Sequence, residues 1–358
     1  MELIWTKYED GQATSGYLTH YQGDFEISTD SENGQNDFEI TMPIPDDGEL
    51  LYSDTGAYTV EVGVPHTEWG GKITGATIDA KAGVVTYKGF TWRGYLTQTI
   101  IQPPYGVDYM VGSGTLQQIM EWDIPWEPDV AIKSTPSTGN RTFTFNRYVT
   151  SLEGATALLN SINQNYRIYI AYEESDDPDL EGMHEIQVSV APTKNVTDLI
   201  QVSQDYGDIP LTITYAHDTP KHLICLGQGE LAERQVAHWY LTSDWQLTPY
   251  GDDPESPEYV YPYPEEVYDN SNSTDIVNDG KKKMLEILAN HRQIEVNLEG
   301  LEGVGLNNII SAKDELTGVT ITAEVTGVIW RVENYGEWQK ESMEYKTKVT
   351  TELVQKAK

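Results

Sequence analysis

The chain has 358 residues, with 57 acidic and 23 basic side chains, a net charge of −34 and one cysteine. So large a negative charge excludes a free-standing nucleic-acid-binding protein, which needs clustered Lys and Arg against phosphate; one cysteine excludes an internal disulfide and a thiolate zinc site. Hydrophobic residues at 38%, with 23 Tyr and 9 Trp, describe a globular chain long enough for two or three domains, not a disordered one.

Met1–Asp10 lacks a basic start followed by an apolar run, so no secretory signal is expected. No stretch approaches the roughly 18 apolar residues of a membrane helix, so no stable membrane insertion is expected either. The Asn-x-Ser/Thr matches at Asn140, Asn195 and Asn272 then lack a secretory context. A soluble protein made in a reducing cytoplasm is the expectation.

The first hundred residues read as strands. Asp24–Ile27, Asp37–Met42 and Ala57–Val64 alternate polar and apolar residues. Lys72–Ile78 and Val84–Tyr87 follow, joined by Asp79–Gly83 with Gly at a turn position. Short strands broken by turns predict an antiparallel barrel or sandwich. Pro103 and Pro104 end the run, because neither can donate to a ladder.

Ser113–Glu121 predicts a short helix with Leu116, Ile119 and Met120 on one side. Thr150–Asn163 is a stronger helix signal: Thr150 and Glu153 have capping-box spacing, and Leu152, Ala155, Leu158, Leu159 and Ile162 form a stripe. Arg167–Tyr172 and Glu185–Val190 alternate like paired strands. The acidic Glu173–Met183 between them reads as a solvated hairpin loop.

A second β region runs from Leu211 through Leu223–Leu226 to Gln235–Leu241. Pro249–Asp269, with Pro254, Pro257, Pro262 and Pro264, predicts neither regular strand nor helix. A capped helix is expected over Asp275–His291, with Val277, Met284, Leu285 and Leu288 as its apolar face and Lys281–Lys283 toward solvent. Ile294–Leu298, Val319–Val325, Val328–Val332 and Ser342–Thr350 then return to strands. Fold class is therefore mainly β with α+β parts. Residues 1–105 form one β domain and 106–195 a mixed α/β domain. Residues 196–242 and 291–358 form a discontinuous second β domain, interrupted by an insertion at 243–290.

The chemistry-bearing residues give little. Cys225 lies in the apolar run Leu223–Leu226, where a buried inert thiol is expected instead of a nucleophile. No His pair has helical zinc spacing, and His217 and His222 flank a turn at Pro220. Asp269–Gly280 imitates a calcium loop but has Thr274 at the turn-glycine place and Gly280 at the bidentate-Glu place, so a helix cap is preferred. Gly112–Gly114 reads as a Gly-rich turn without a P-loop lysine. No nucleophile elbow, kinase set or dinucleotide fingerprint is present. Catalytic residues, metal and cofactor are all expected to be absent. Trp122, Trp126, Tyr259, Tyr261 and Tyr263 leave a carbohydrate-binding or carbohydrate-active reading open.

Three segments carry a resemblance. They are His66-Thr67-Glu68-Trp69-Gly70-Gly71-Lys72-Ile73; Tyr87–Leu96, containing Trp92-Arg93-Gly94, with Ile100–Pro104; and His222–Arg234, containing Gly229, Glu230 and Arg234. In order and spacing they resemble the tail hub proteins of tailed bacteriophages and prophages of Gram-positive hosts, also called tail-associated or baseplate hub proteins. Thr317-Gly318-Val319 and Ile329–Glu333 are similar to that family's closing strands; Gly303–Ala312 departs from it, usually being a tighter turn. Many relatives continue into a cell-wall hydrolase domain, an activity not carried over here.

The resemblance implies two related antiparallel β-barrel domains per chain and a ring-forming homotrimer whose six barrels match a sixfold tube above and a threefold spike or fibre below. Its implied partners are the tail tube or distal tail protein, and a spike, fibre or tape-measure protein, with DNA only as passing cargo. Its implied place is the virion tail tip, after assembly in the bacterial cytoplasm. The motif residues Trp69, Gly70, Gly71, Trp92, Arg93, Gly94, Pro103, Pro104, Gly229, Glu230 and Arg234 are expected to be structural. Arg93 is expected to pair bidentately with a carboxylate inside the fold. Glu230 and Arg234 can pair if their segment is helical, although a strand is the preferred reading.

Overall fold

The structure, a computed structural model, describes residues 1–9, 12–29, 35–46, 48–53, 59–175, 184–197, 201–203, 211–215, 220–242, 247–249, 264–290, 292–297, 304–313, 320–336 and 338–349. Strands dominate them, as the alternation predicts. The chain divides into two compact units: residues 1–194, 299–307 and 327–344 form one, and residues 195–298, 308–326 and 345–358 the other.

The first unit is built on strands β1 (Ile4–Glu9), β2 (Gln12–Tyr17), β3 (Tyr21–Ser28), β4 (Asp37–Pro43), β5 (Thr59–Gly63), β6 (Gly70–Asp79) and β7 (Val84–Thr91). Residues 327–334 and 339–344 of two later strands join them, giving the order 339–344, 327–334, β3, β4, β7, β6, β5, β1, β2. The period-2 pattern explains the sheet directly. Tyr21, Phe25, Ile27, Phe38, Ile40, Val85, Tyr87, Trp330 and Val332 point inward and are buried, whereas Gln22, Asp24, Asp37, Glu39 and Lys88 point outward and are exposed. Phe25 stacks on Phe38 at 5.2 Å and Trp330 sits 5.1 Å from Phe25. The Met1 amino group pairs with Glu341, and the Gln339 amide donates to the Met1 carbonyl, drawing the chain start against residues 339–341. The β1–β2 hairpin has no sequence signal, because β2 is an edge strand without a buried face.

The strand ahead of Trp92-Arg93-Gly94 ends at Thr91, and α1 (Trp92–Tyr95) is one helical turn, where the sequence predicts only a tight strand end. Thr91 caps it by accepting from the Gly94 N–H. Gly112–Gly114 is likewise a strand and not a loop. It belongs to β8 (Val111–Gly114), and the helical turn following Thr115 starts three residues later than expected. That turn, α2 (Leu116–Gln118), runs into a wide π-type turn over Ile119–Asp123, and Leu116, Ile119 and Met120 are buried as predicted.

After β9 (Val130–Ser134) and β10 (Arg141–Thr144), α3 (Ser151–Ile162) carries the predicted capping box, Thr150 with Glu153. Strands β11 (Tyr166–Glu174) and β12 (His184–Pro192) pair antiparallel, Arg167 facing Ala191, as the alternation indicates. Of the acidic loop between them, residues 176–183 lie outside the described residues. Helix α3, α1 and the β9–β11–β12 sheet share a core containing Trp92, Phe145, Leu158, Leu159, Ile170, Tyr172 and Val188.

Beyond β13 (Lys194–Asn195), the second unit holds β14 (Gln201–Ser203), β15 (Leu211–Tyr215), β16 (His222–Leu226), β17 (Val236–Leu241), β18 (Leu247–Thr248), β19 (Glu265–Asp269), α4 (Ile276–Asn290), β20 (Arg292–Asn297) and β21 (Asn308–Lys313). Strand β15 pairs with β20, and β16 lies between β17 and a parallel β19. The end of the Pro-rich stretch is thus a regular strand, contrary to expectation. Once past Pro264 every residue retains its amide donor, and Glu265–Asp269 aligns with His222–Leu226. The rest of that stretch, including Tyr259, Tyr261 and Tyr263, lies outside the described residues.

Helix α4 is rotated from the predicted face. Ile276, Met284 and Leu288 are buried, whereas Val277 is 49% exposed. The two predicted strands around Gly327 are one, β22 (Thr320–Asn334), and β23 (Gln339–Val349) follows it. Gly327 causes no break because it continues the ladder opposite Ser28. Val319 and Thr317–Gly318 lie outside the described residues.

Candidate functional site

The residues singled out by motif gather at one internal brace of the first unit. The side chain of Trp69 is buried, its ring 5.4 Å from Trp330. Gly70 and Gly71 open β6, and a Cβ on Gly71 would sit 1.9 Å from the Phe90 carbonyl oxygen, so only glycine lets β6 and β7 approach there. Trp92 stacks on Tyr172 at 4.5 Å. Arg93, almost wholly buried, donates from Nε to Glu68 Oε1 at 2.5 Å and from Nη2 to the Ile168 carbonyl at 3.1 Å. The expected internal ion pair is therefore present, but through Nε alone and not bidentate, because Nη2 is taken by the Ile168 carbonyl. Burial pushes the Glu68 carboxyl above its ordinary range even though Arg93 opposes the shift.

A second charged group, of which only Lys72 and Tyr95 lie in the motif segments, sits beside it. Lys72 Nζ is 2.5 Å from Asp129 Oδ2 and 3.6 Å from Glu61 Oε1, and donates to the Tyr95 hydroxyl at 3.0 Å. Tyr172 donates from its hydroxyl to Glu61 Oε2 at 3.3 Å. Glu61 is only 4% exposed, and burial pushes its carboxyl up to about 7 against the pull of Lys72. Burial acts to lower the Lys72 ammonium, but Glu61 and Asp129 outweigh it and hold the group above the usual lysine range. Burial raises the Tyr95 phenol to about 12. The segment His66–Thr67 is tied to this group through backbone bonds from His66 to Tyr172 and from Tyr172 to Thr67, each at 2.9 Å. These residues come from β5, β6, the loop before β9, and β11, so no sequence window contains them.

The remaining motif residues lie apart from the brace. Pro103 is half-buried and Pro104 exposed, in the loop after α1. Gly229 has φ = 100°, where glycine is favoured, and a 3₁₀ turn over Leu231–Glu233 follows Glu230. That segment is neither the strand preferred nor the α-helix allowed by the sequence. Arg234 accordingly reaches Asp269 and the Gly227 carbonyl, at 3.1 Å for the latter, instead of the exposed Glu230.

The outward face of the main sheet is acidic. Across β22, β3, β4 and β7 the register places Arg331, Asp24, Glu39 and Lys88 in one row. Arg331 pairs with Asp24 at 3.3 Å and with Glu344 at 3.0 Å, and Lys88 with Glu39 at 2.7 Å. Glu26, Asp37 and Glu333 add negative charge to the same open groove. Burial, then Glu26, raises the Asp37 carboxyl above its usual range.

Other candidate groups are structural. Cys225 is fully buried, and burial raises its thiol to about 11. His222, buried, bridges Glu265 at 2.9 Å and His238 at 2.8 Å through its two ring nitrogens, which therefore diverge; His217 lies outside the described residues. Asp275 accepts from the Asn278 N–H as a helix cap does. Among the described residues no group of three or more His, Cys, Asp and Glu side chains is arranged to hold a metal ion. Trp126 packs on the core and donates to the Met120 carbonyl at 2.7 Å, whereas Trp122 is 71% exposed. Among the described residues no helix is long and apolar enough to cross a membrane.

No family model matches the chain, and no curated protein matches it in sequence. In structure it is similar to proteins of one class along its whole length. A tail protein from Neisseria meningitidis matches with a TM-score of 0.54 at 13% identity, covering 100% of this chain and 99% of the other. The 43 kDa tail protein of prophage MuSo2 from Shewanella oneidensis matches at 0.59 and 11%, covering 99% and 100%. Prophage tail protein gp18 from Listeria monocytogenes matches at 0.53 and 11%, covering 97% and 94%. The chain has the fold of phage tail proteins, mainly β, as the motif resemblance implies.

Proposed function

We propose that the protein is a non-enzymatic structural component of a phage tail, a homotrimeric hub that caps the tail tube and adapts its sixfold symmetry to a threefold spike, fibre or tip. The observation that carries this reading is the end-to-end likeness to three prophage or phage tail proteins at 11–13% identity, where fold persists without sequence. In this reading residues 1–105, completed by residues 327–344, and residues 196–242 with the rest of 291–358 supply two barrels per chain. The mixed region 106–195 and the insertion 243–290 flank them. The ring they form closes by rotation through heterologous contacts. Partners are the tube or distal tail protein on one side and a spike, fibre or tape-measure protein on the other. The protein is assembled in the bacterial cytoplasm and resides in the virion.

The acidic sheet face suits a bore through which DNA passes without adhering. Screening limits the repulsion to about 8 Å at physiological salt, so only groups near the duplex contribute. The test is the mass of the full chain in solution, alone and with purified tube protein. A trimer is expected; a chain that stays monomeric in both settings would refute the proposal.

A second reading, carbohydrate binding, keeps one observation in its favour, the exposed Trp122. Saturable binding or cleavage of host wall polysaccharide, abolished by Trp122→Ala, would favour it over the hub.

A further inference from the structure

Six exposed apolar residues of the first unit gather along one ribbon, whereas Met1, Tyr17, Ile78, Phe90 and Trp122 are scattered. Residues 99–111 run antiparallel to residues 141–151: Ile100 bridges Thr150, the Ile101 N–H donates to the Val149 carbonyl, and Val111 faces Thr144. Loop 102–109 bulges out between these two paired stretches, its crest forming a lateral tip of the ribbon. Ile100, Tyr105, Val107, Tyr109, Val111 and Tyr148 are all exposed along it, Tyr105 fully. Exposed apolar residues gathered in this way mark an interaction surface more often than scattered ones do.

Two independent features single out the tip. Tyr148 holds φ = 57°, a conformation an aromatic residue avoids, and its N–H is pinned to the Ile101 carbonyl at 3.1 Å. Strain of this kind persists where the fold presents a side chain for use. The second is charge. Between Arg93 and Glu121 Asp108 is the sole charged residue, in a chain of net charge −34. Arg147 lies over the Tyr148 ring, 5.2 Å from its centroid, and has no carboxylate partner among the described residues.

A surface that is aromatic, nearly free of acid and carries a cation is complementary to this chain's own acidic exterior. We propose that the ribbon tip is a subunit contact in which Tyr105 and Tyr148 seat on an acid-rich surface of a second copy of this chain and Arg147 meets one of its carboxylates. The contact is heterologous, patch to different surface, and so closes a ring by rotation. It rests on the self-assembling hub reading and names the surface that reading needs.

The test uses the full chain. Tyr105→Ser alters a fully exposed side chain, and Tyr148→Gly removes the ring while relieving the positive φ, so the folded monomer should keep or gain thermal stability. Native mass measured over a dilution series should show the double variant's assembly dissociating at an at least about tenfold higher concentration than the parent's. Arg147→Glu should weaken assembly in the same direction. Cys225 being buried, Tyr105→Cys offers a single reactive thiol for a photo-crosslinker, which should capture an acid-rich peptide of another copy. A parent trimer whose variants assemble unchanged overturns this contact and leaves the hub reading standing. Capture of added tube protein only, with no second copy, overturns the assigned occupant. A parent chain that never self-associates, alone or with tube protein, removes both.

Discussion

Glu61 carries the most informative charge in the molecule. Its folded carboxyl titrates near 7, above the roughly 4.3 of an unfolded glutamate. The folded state therefore binds that proton more tightly. The resulting stabilisation is fully present below about pH 4.3 and is lost as pH rises through about 7. Glu61→Gln, which keeps the shape, removes this dependence. Its stability relative to the parent should rise between pH 5 and pH 8, by on the order of 3 kcal/mol, in urea midpoints; a difference constant with pH would contradict the assignment. Arg93 gives a second prediction. Arg93→Met strands the buried Glu68 carboxylate and should destabilise by about 3–5 kcal/mol, while adding Glu68→Gln should recover much of the loss in the same assay. That Arg93 finds an acid was legible in the sequence. That the acid is Glu68 was not, because 57 acidic residues compete until strand register chooses among them.

Legibility at the scale of elements follows burial. Strands β3, β4 and β7 each present one apolar face, so alternation finds them. Strand β2 is polar on both faces and β19 reads Glu-Glu-Val-Tyr-Asp after a proline; each is made a strand by a partner, not by its own pattern. Helix α3 was legible because its cap is local. Thr150→Ala should lower stability by about 1 kcal/mol, seen as a shift of the denaturation midpoint without change in slope. The brace was half legible: Trp69, Lys72, Trp92 and Arg93 belong to contiguous motifs, whereas Glu61, Asp129 and Tyr172 reach Lys72 only after β5, β6 and β11 pack. The apolar ribbon tip left one trace, the nearly charge-free run between Arg93 and Glu121.

Across the whole molecule, the charge of −34 that excludes nucleic-acid binding fits the proposed hub, whose exterior would let DNA pass without adhering. Part of the charge is neutralised internally, by Lys72 and Arg93. The sheet face bearing Glu26, Asp37 and Glu333 retains an excess of carboxylate over Lys88 and Arg331. The most direct measurement is a rotationally averaged electron-microscopy image of the full chain assembled with tube protein. The hub reading requires threefold symmetry, with six barrel-sized densities around a bore lined mainly by Asp and Glu. A monomeric particle, or a bore lined mainly by Lys and Arg, would contradict it.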